Sequence, residues 1–431
     1  VRRVLAAALA MVVGAATLTA CASDPTPTDV TVGWSGDGRT AVEVTWKDDN
    51  APNRITIEGV LSTSPSYVKY LSAGEPNSWA IPTSAFPADG NYKVAVAIGT
   101  SQGGVTSKLA RSDVFDTDGP VRPINAAASP RGNGVLMTWS VPPAPQDFTP
   151  NDPLDVKDRT QRYVPVLAKP GQRLEVIGAG TTSTQQLIKS LRPPYVFQLR
   201  VQNEWGARAG GQVLGLTTSV TAAIPSKARF SLRAKIRGRV VVQQVVCPPE
   251  SACTQQRATP AGVPVVLLTQ PTPGARWTPA GRGKTTAGGH YEISVVTGPT
   301  RPYKVIVPVS SRVGSITDTS SSKASLTRSV VRVALAGIAG GQNKKVGSAA
   351  TIYTWVLPAT MNSNVVLQMW NQKLHRWVFV RVTPMRAGKT QFTFPLKKPG
   401  AYVYRYLIPN SVMAGRQLAG TVTGHIPLYV R

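Results

Sequence analysis

Tyr195-Val196-Phe197-Gln198-Leu199-Arg200-Val201-Gln202-Asn203-Glu204-Trp205-Gly206 decides the fold. Apolar and polar residues alternate through Val201, the period of a strand with one buried face, and Asn-x-x-Gly closes the run as a turn. About sixty residues earlier, Val135-Leu136-Met137-Thr138-Trp139 has the same character and runs into Pro142-Pro143. Further short runs rich in Val, Ile, Thr and aromatics recur on both sides: 42–46, 54–60, 92–98, 240–246, 263–268, 303–307, 365–370, 377–382 and 402–408. Gly, Pro, Asn and Ser separate them, and no stretch after residue 30 has helical periodicity. The expected fold is all-β, as antiparallel sandwiches. At 431 residues the chain is too long for one core, and 42% hydrophobic content argues against disorder.

Trp139 on an early strand and the late Tyr195-x-Phe197-x-x-x-Val201-x-Asn203 run resemble a fibronectin type III domain. That resemblance makes Trp139 and Tyr195 core residues facing each other across two sheets. Val44-Thr45-Trp46 and the later Tyr92–Ala97 run repeat the plan less clearly. The C-terminal half repeats itself: Val265 with Trp277 matches Val365 with Trp377, and Tyr291, Tyr303 and Pro308 match Phe392, Tyr404 and Pro409. Its order of strand, Trp, Gly-rich turn and Tyr-containing strand is similar to immunoglobulin-like or carboxypeptidase-regulatory-like modules of secreted actinobacterial proteins. Four tandem sandwiches are expected, at 31–119, 120–225, 226–321 and 322–431, with linkers near Asp116–Pro123 and Ala222–Ser226. In series they would reach on the order of 130 Å.

Arg2 and Arg3 precede a largely apolar run, Val4–Leu18, too short to span a bilayer comfortably. It ends in Leu18-Thr19-Ala20-Cys21, which resembles the bacterial lipoprotein box. That resemblance implies a signal peptide over 1–20, acylation of Cys21, membrane anchoring and a tether over 21–30. Export implies an oxidising setting, where Cys247 and Cys253 are expected to form a local disulfide worth roughly 2 kcal/mol. A metal site there lacks a nearby His or second Cys pair.

Formal net charge is +27. Residues 22–225 carry 18 basic and 18 acidic side chains, whereas 226–431 carry 28 basic and 3 acidic. Lys227, Arg229, Arg233, Lys235, Arg237 and Arg239 fall at nearly alternate positions and predict a basic ridge on one strand face. Lys344-Lys345 and Lys397-Lys398 fall on expected turns. These residues are the candidate polyanion-binding set, with a merely solvated surface as the alternative. No nucleic-acid reading motif accompanies them.

Catalytic motifs are thin. Gly99-Thr100-Ser101-Gln102-Gly103 matches a nucleophile elbow, but a second strand, not a helix, is expected after it. Gly283-Lys284-Thr285 lacks the first glycine of a phosphate loop. Asp152, Asp155 and Asp158 sit three apart in an insertion, a solvated loop or a calcium site. His290, His375 and His425 share no ligand spacing, and Glu250, Glu292 and Asp318 are the only carboxylates after residue 225. Trp377 is expected in a core, while Trp370 is free to project outward as a sugar platform. No catalytic centre, cofactor or metal is expected. The expected function is a non-enzymatic, lipid-anchored surface protein. Its neutral stalk presents a basic head to anionic envelope polymers or an acidic protein. The alternative is a glycan-binding accessory module for a separate hydrolase.

Overall fold

The computed structural model describes residues 25–62, 64–156, 161–249 and 251–431. Cys21 with the signal segment, Lys157, Asp158, Arg159 and Glu250 lie outside the described residues. Each alternating run named above lies on a strand, and no α-helix occurs among the described residues.

The strands build four sandwiches on one plan. In each, the first, second and fifth strands form one sheet, and the fourth, third, sixth and seventh form the other. In the first sandwich Thr28–Trp34, Ala41–Lys47 and Ser78–Pro82 face Tyr67–Leu71, Asn53–Gly59 and Asn91–Thr100. In the second, Ile124–Arg131, Gly134–Ser140 and Gln185–Lys189 face Glu175–Val176, Arg162–Ala168, Tyr195–Asn203 and Gly206–Ala223. Trp139 and Tyr195 are buried together in the second core, 5% and 0% exposed. Trp46 and Tyr92 hold the matching places in the first.

The C-terminal repeat is a repeat of ladder register. Thr269 pairs with Tyr303 and Val266 with Ile306. In the fourth sandwich Met369 pairs with Tyr404 and Val366 with Leu407. The third sandwich sets Arg233–Val246 and His290–Val296 against Thr278–Lys284, Pro264–Thr269, Arg301–Val307 and Ser325–Val330. The fourth sets Arg332–Ile338, Ala349–Leu357 and Lys389–Pro395 against Arg376–Met385, Ser363–Asn371, Gly400–Ile408 and Ile426–Val430.

Two expected boundaries move. Gly206–Ala223 is one continuous strand whose first half pairs with Tyr195–Asn203 and whose second half pairs with Arg233–Val246. The changeover falls between Gly215 and Thr217, and Ala222 is still laddered to Gly238. A strand that changes sheets keeps its period of two, so nothing in the residues marks the event. The third sandwich also runs past 321, because Ser325–Val330 supplies one of its strands, between Arg301–Val307 and Lys227–Arg229.

Each joint is made by the connection between a sandwich's sixth and seventh strands, which reaches back to its predecessor. In the second sandwich this is the Asn203–Gly206 turn. It drives Trp205 into the first core, 5.1 Å from Trp34 and 5.9 Å from Phe86 between ring centroids. Leu154, from the insertion, fills the same core, and its carbonyl accepts from Trp34 Nε1 at 3.2 Å. In the third sandwich it is a hairpin, Ser310–Arg312 with Ser315–Thr317. This hairpin adds in parallel to Leu214–Leu216 and buries Ile316 in the second core. The matching hairpin of the fourth, Ser411–Met413 with Arg416–Leu418, sends the Arg416 guanidinium onto the carbonyls of Gln270 and Pro271 at 3.1 and 3.3 Å.

The Cys247–Cys253 disulfide is formed and belongs to the second joint. Both cysteines pack against Ala168, Val196 and Leu214. Cys253 exchanges backbone hydrogen bonds with the 171–172 turn, Cys253 N to Gln172 O at 2.7 Å and Gly171 N to Cys253 O at 2.8 Å. The bridge therefore fixes a loop of the third sandwich on the outside of the second.

Candidate polyanion-binding surfaces

Arg233, Lys235, Arg237 and Arg239 are exposed at alternate positions of one strand, while Ile236 and Val240 point into the core. The ridge is shorter than the sequence suggests. Lys227 and Arg229 lie on a separate short strand, paired in parallel with Arg328–Val330 at the edge of the opposite sheet. The chain turns between them at Ser231, whose φ is +64°.

The ridge is also partly neutralised. Glu292, cross-strand from Arg237, accepts from Lys235 at 2.8 Å and Arg237 at 2.7 Å. Hydrogen bonds from Lys235 and then Arg237 hold its carboxyl below the ordinary carboxylate range. Arg239 Nε donates to Gly288 O at 3.0 Å. Among the described residues no carboxylate pairs with Arg233.

The two lysine pairs, fifty residues apart in sequence, converge. Gly347 N donates to Leu396 O at 2.8 Å and Leu396 N to Ser348 O at 2.9 Å. These bonds tie the 345–348 turn to the segment carrying Lys397 and Lys398; Lys344, expected on a turn, lies instead on the short strand Asn343–Lys344. Arg431 joins them, its N–H bonded to Lys344 O at 3.0 Å. Lys344 Nζ donates to Ala339 O at 2.8 Å, while Lys345, Lys397 and Lys398 are exposed. The ladders place this cluster at the end of the fourth sandwich away from its joint: Gly400 pairs with Val430 there, whereas Arg332 pairs with Leu357 at the opposite end. No Asp or Glu occurs after Asp318.

The expected core role of Trp377 is overturned. It is half-buried on the outer face of its sheet, beneath the Arg405 guanidinium at 4.2 Å from the ring centroid. Arg405 Nε is held by Gln368 Oε1 at 2.8 Å. Trp277 lies in the same way under Lys304, at 4.5 Å. What the repeat preserves is therefore an exterior tryptophan–cation pair, worth roughly 0.5–1 kcal/mol at such a site. Trp370 does sit outside, edge-on to Trp377 at 5.4 Å, and His425 packs on Trp377 at 5.3 Å.

Other marked residues are dispersed. Thr100 and Gly104 close a hairpin around Ser101, so that motif has no following helix. Gly283 and Lys284 end a strand, and Thr285 Oγ1 donates to Pro260 O. His290 begins a strand and His375 sits in an exposed turn at φ +46°. Asp152 accepts from the N–H groups of Asp116 and Leu154, and Asp155 from those of Asn151 and Asp152. Among the described residues no three His, Cys, Asp or Glu side chains gather as a metal site.

The sequence reading missed a recess on the outer face of the first sheet of the fourth sandwich. It measures about 550 Å³ and is lined by Leu335, Tyr353, Trp355, Arg386, Lys389 and Gln391. Tyr353-Thr354-Trp355, with aromatics at i and i+2, was the available signal.

No protein-family model matches this chain, and no curated protein matches it. Among solved structures it is similar to a tetra-tandem repeat from the extending region of a large adhesion protein, at 12% identity and TM-score 0.25, covering 93% of this chain and 98% of that one. It is also similar to the FN1–FN3 domains of chicken CNTN1, at 14% identity and TM-score 0.22, covering 70% and 100%. A two-domain fibronectin type III segment of chicken tenascin aligns at 13% identity and TM-score 0.21, covering 44% and 97%.

Proposed function

We propose that this chain is a non-enzymatic binding protein of the cell exterior, anchored through an acylated Cys21. Its first two sandwiches serve as a neutral stalk, and its last two present cations to an anionic polymer of the envelope. The observation that carries this reading is the end of the fourth sandwich. There Lys345, Lys397 and Lys398 stand exposed beside Lys344 and Arg431, and no Asp or Glu side chain follows Asp318 in the sequence. Surface charges without internal partners act at a distance and concentrate a polyanion near the surface. Salt screens that attraction, with a Debye length of about 8 Å at physiological strength.

The test is retention of the purified chain from residue 22 onward on isolated cell wall, at low and high salt. Retention is expected to fall steeply with salt. Equal retention at both would remove the electrostatic reading. Mass spectrometry of Cys21 for acyl chains tests the anchor separately.

A further inference from the structure

We propose that the recess lined by Leu335, Tyr353, Trp355, Arg386, Lys389 and Gln391 binds an acidic sugar unit, a pyranose carrying a carboxylate or phosphate. This rests on the reading of an anionic envelope partner and names the repeat unit that one face of the fourth sandwich would grip.

Ala350, Ile352, Thr354 and Val356 point into the core, so Tyr353 and Trp355 must both point out, roughly 7 Å apart along the strand. Register sets their neighbours. Leu335 and Lys389 flank Trp355 on its two sides, and Gln391 sits opposite Tyr353. Gly337 lies opposite Tyr353, and a Cβ there would come within 3.2 Å of the phenol oxygen. The glycine thus lets the tyrosine lie low across the sheet. Trp355 remains 40% exposed and Leu335 50%, although both are large and apolar.

Arg386 and Lys389 close the turn at one end of this platform, bridged to each other through Ala387 and Gly388. Gly388 N bonds Met361 O and Val356 N bonds Gly388 O, each at 2.8 Å, so the turn is fixed against the strand that carries Trp355. Lys389 Nζ stands 5.2 Å from the centroid of the Trp355 ring. Among the described residues no carboxylate neutralises either cation.

A pyranose offers one C–H face to an aromatic ring and its hydroxyls to nearby polar groups. The recess supplies two rings, an amide and two cations within a volume suited to one or two sugar units. The unpaired cations select a negative substituent. The corresponding sheet of the third sandwich carries no such platform, and Glu292 sits in its recess among Arg237, Arg239 and His290.

The experiment is calorimetric titration of the chain from residue 22 with tetragalacturonate, a neutral dextran oligomer of equal length, and tetraglutamate. Trp355→Ala is expected to lower tetragalacturonate affinity tenfold or more. It leaves charge unchanged, so the retention on cell wall that remains should still fall with salt. Lys389→Glu, which spares the platform, is expected to abolish the preference for tetragalacturonate over dextran. Undiminished binding by Trp355→Ala overturns the site and leaves the electrostatic reading standing. Dextran bound as well as tetragalacturonate overturns the acidic selectivity. Tetraglutamate bound equally well, with the same loss in Trp355→Ala, makes the site one for acidic peptides and overturns the sugar.

Discussion

Trp205, within the turn after its sandwich's sixth strand, and Trp377, just after a polar turn in the fourth, end in opposite surroundings. Trp205 leaves its sandwich and is 6% exposed inside the core of the one before it. Trp377 stays home, half-buried on an outer face under Arg405. The charges divide in the same way. In the N-terminal pair, acids serve the joint: Asp89 pairs with Arg208, Asp152 takes the N–H of Asp116, and Thr149 Oγ1 donates to Asp116 at 2.9 Å. In the C-terminal pair the joints use backbone ladders and an arginine on carbonyls, and few acids are present to offset the remaining cations. One strand plan thus carries two uses of polar surface, one internal to a joint and one left exposed to solvent.

Two pairs of variants would break that contrast. Trp205→Ala is expected to cost about 3–5 kcal/mol of unfolding free energy by leaving a cavity among Trp34, Phe86 and Leu154. Trp377→Ala should cost less, about 1–2 kcal/mol, since its ring loses exterior contacts with Arg405, Trp370 and His425 and leaves no core cavity. Equal losses in a denaturant titration would mean the exterior tryptophan is structural after all. Replacing Lys344, Lys345, Lys397 and Lys398 together by Gln should lower low-salt retention on cell wall about tenfold, by analogy with counterion release from polyanions. The same change at Arg233, Lys235, Arg237 and Arg239 should have a smaller effect, because Glu292 and Gly288 O already engage three of them.

Period-two alternation was enough to place the strands, and Trp139 with Tyr195 was enough to mark a core. The repeat was legible too, because matching registers require matching spacings. Four things were not. Gly206–Ala223 passes from one sheet to another without losing its period, so the change of sandwich left no trace. The match of Trp377 with Trp277 suggests a core role when read alone, whereas the matching cations Lys304 and Arg405 explain it as an exterior pair. The meeting of the lysine pairs at 344–345 and 397–398 depends on backbone bonds between distant segments, which sequence spacing does not carry. The recess at Trp355 needs the positions of Leu335 and Lys389 on neighbouring strands, which only register supplies.

The acidic side of the contrast has its own test. Burial first, with further push from Asp118 and Asp147, raises the Asp116 carboxyl to about 6, although the Thr149 hydroxyl acts in the opposite sense. A carboxyl whose folded pKa lies above its unfolded value binds its proton more tightly in the native state. Its stabilising contribution is complete below the unfolded value near 3.8 and is lost as pH rises through about 6. Asp116→Asn keeps an acceptor for Thr149 and removes the charge. It should raise stability at pH 7.5 by on the order of 1 kcal/mol after solvent screening, and leave it nearly unchanged at about pH 3, below the unfolded value. Thermal unfolding at the two pH values checks this. A gain that is equal at both would point to packing rather than charge.

Glu292 offers the smallest and most discriminating change. Its carboxyl is exposed, and the hydrogen bonds from Lys235 and Arg237 hold its pKa down. A lowered folded pKa means the contribution is present above the ordinary value of 4.5 and is lost as pH falls through the lowered one. Solvent screening keeps that contribution slight, so Glu292→Gln should leave the melting temperature within about 1 °C. Freeing Lys235 and Arg237 should raise polyanion affinity at low salt by roughly two- to threefold, through the same screened attraction. The gain should vanish at high salt. If affinity does not rise, the ridge contributes nothing to binding and the cationic end of the fourth sandwich acts alone. If it rises tenfold, the ridge is the main surface held in check by one carboxylate, and the order of the two surfaces argued above is reversed.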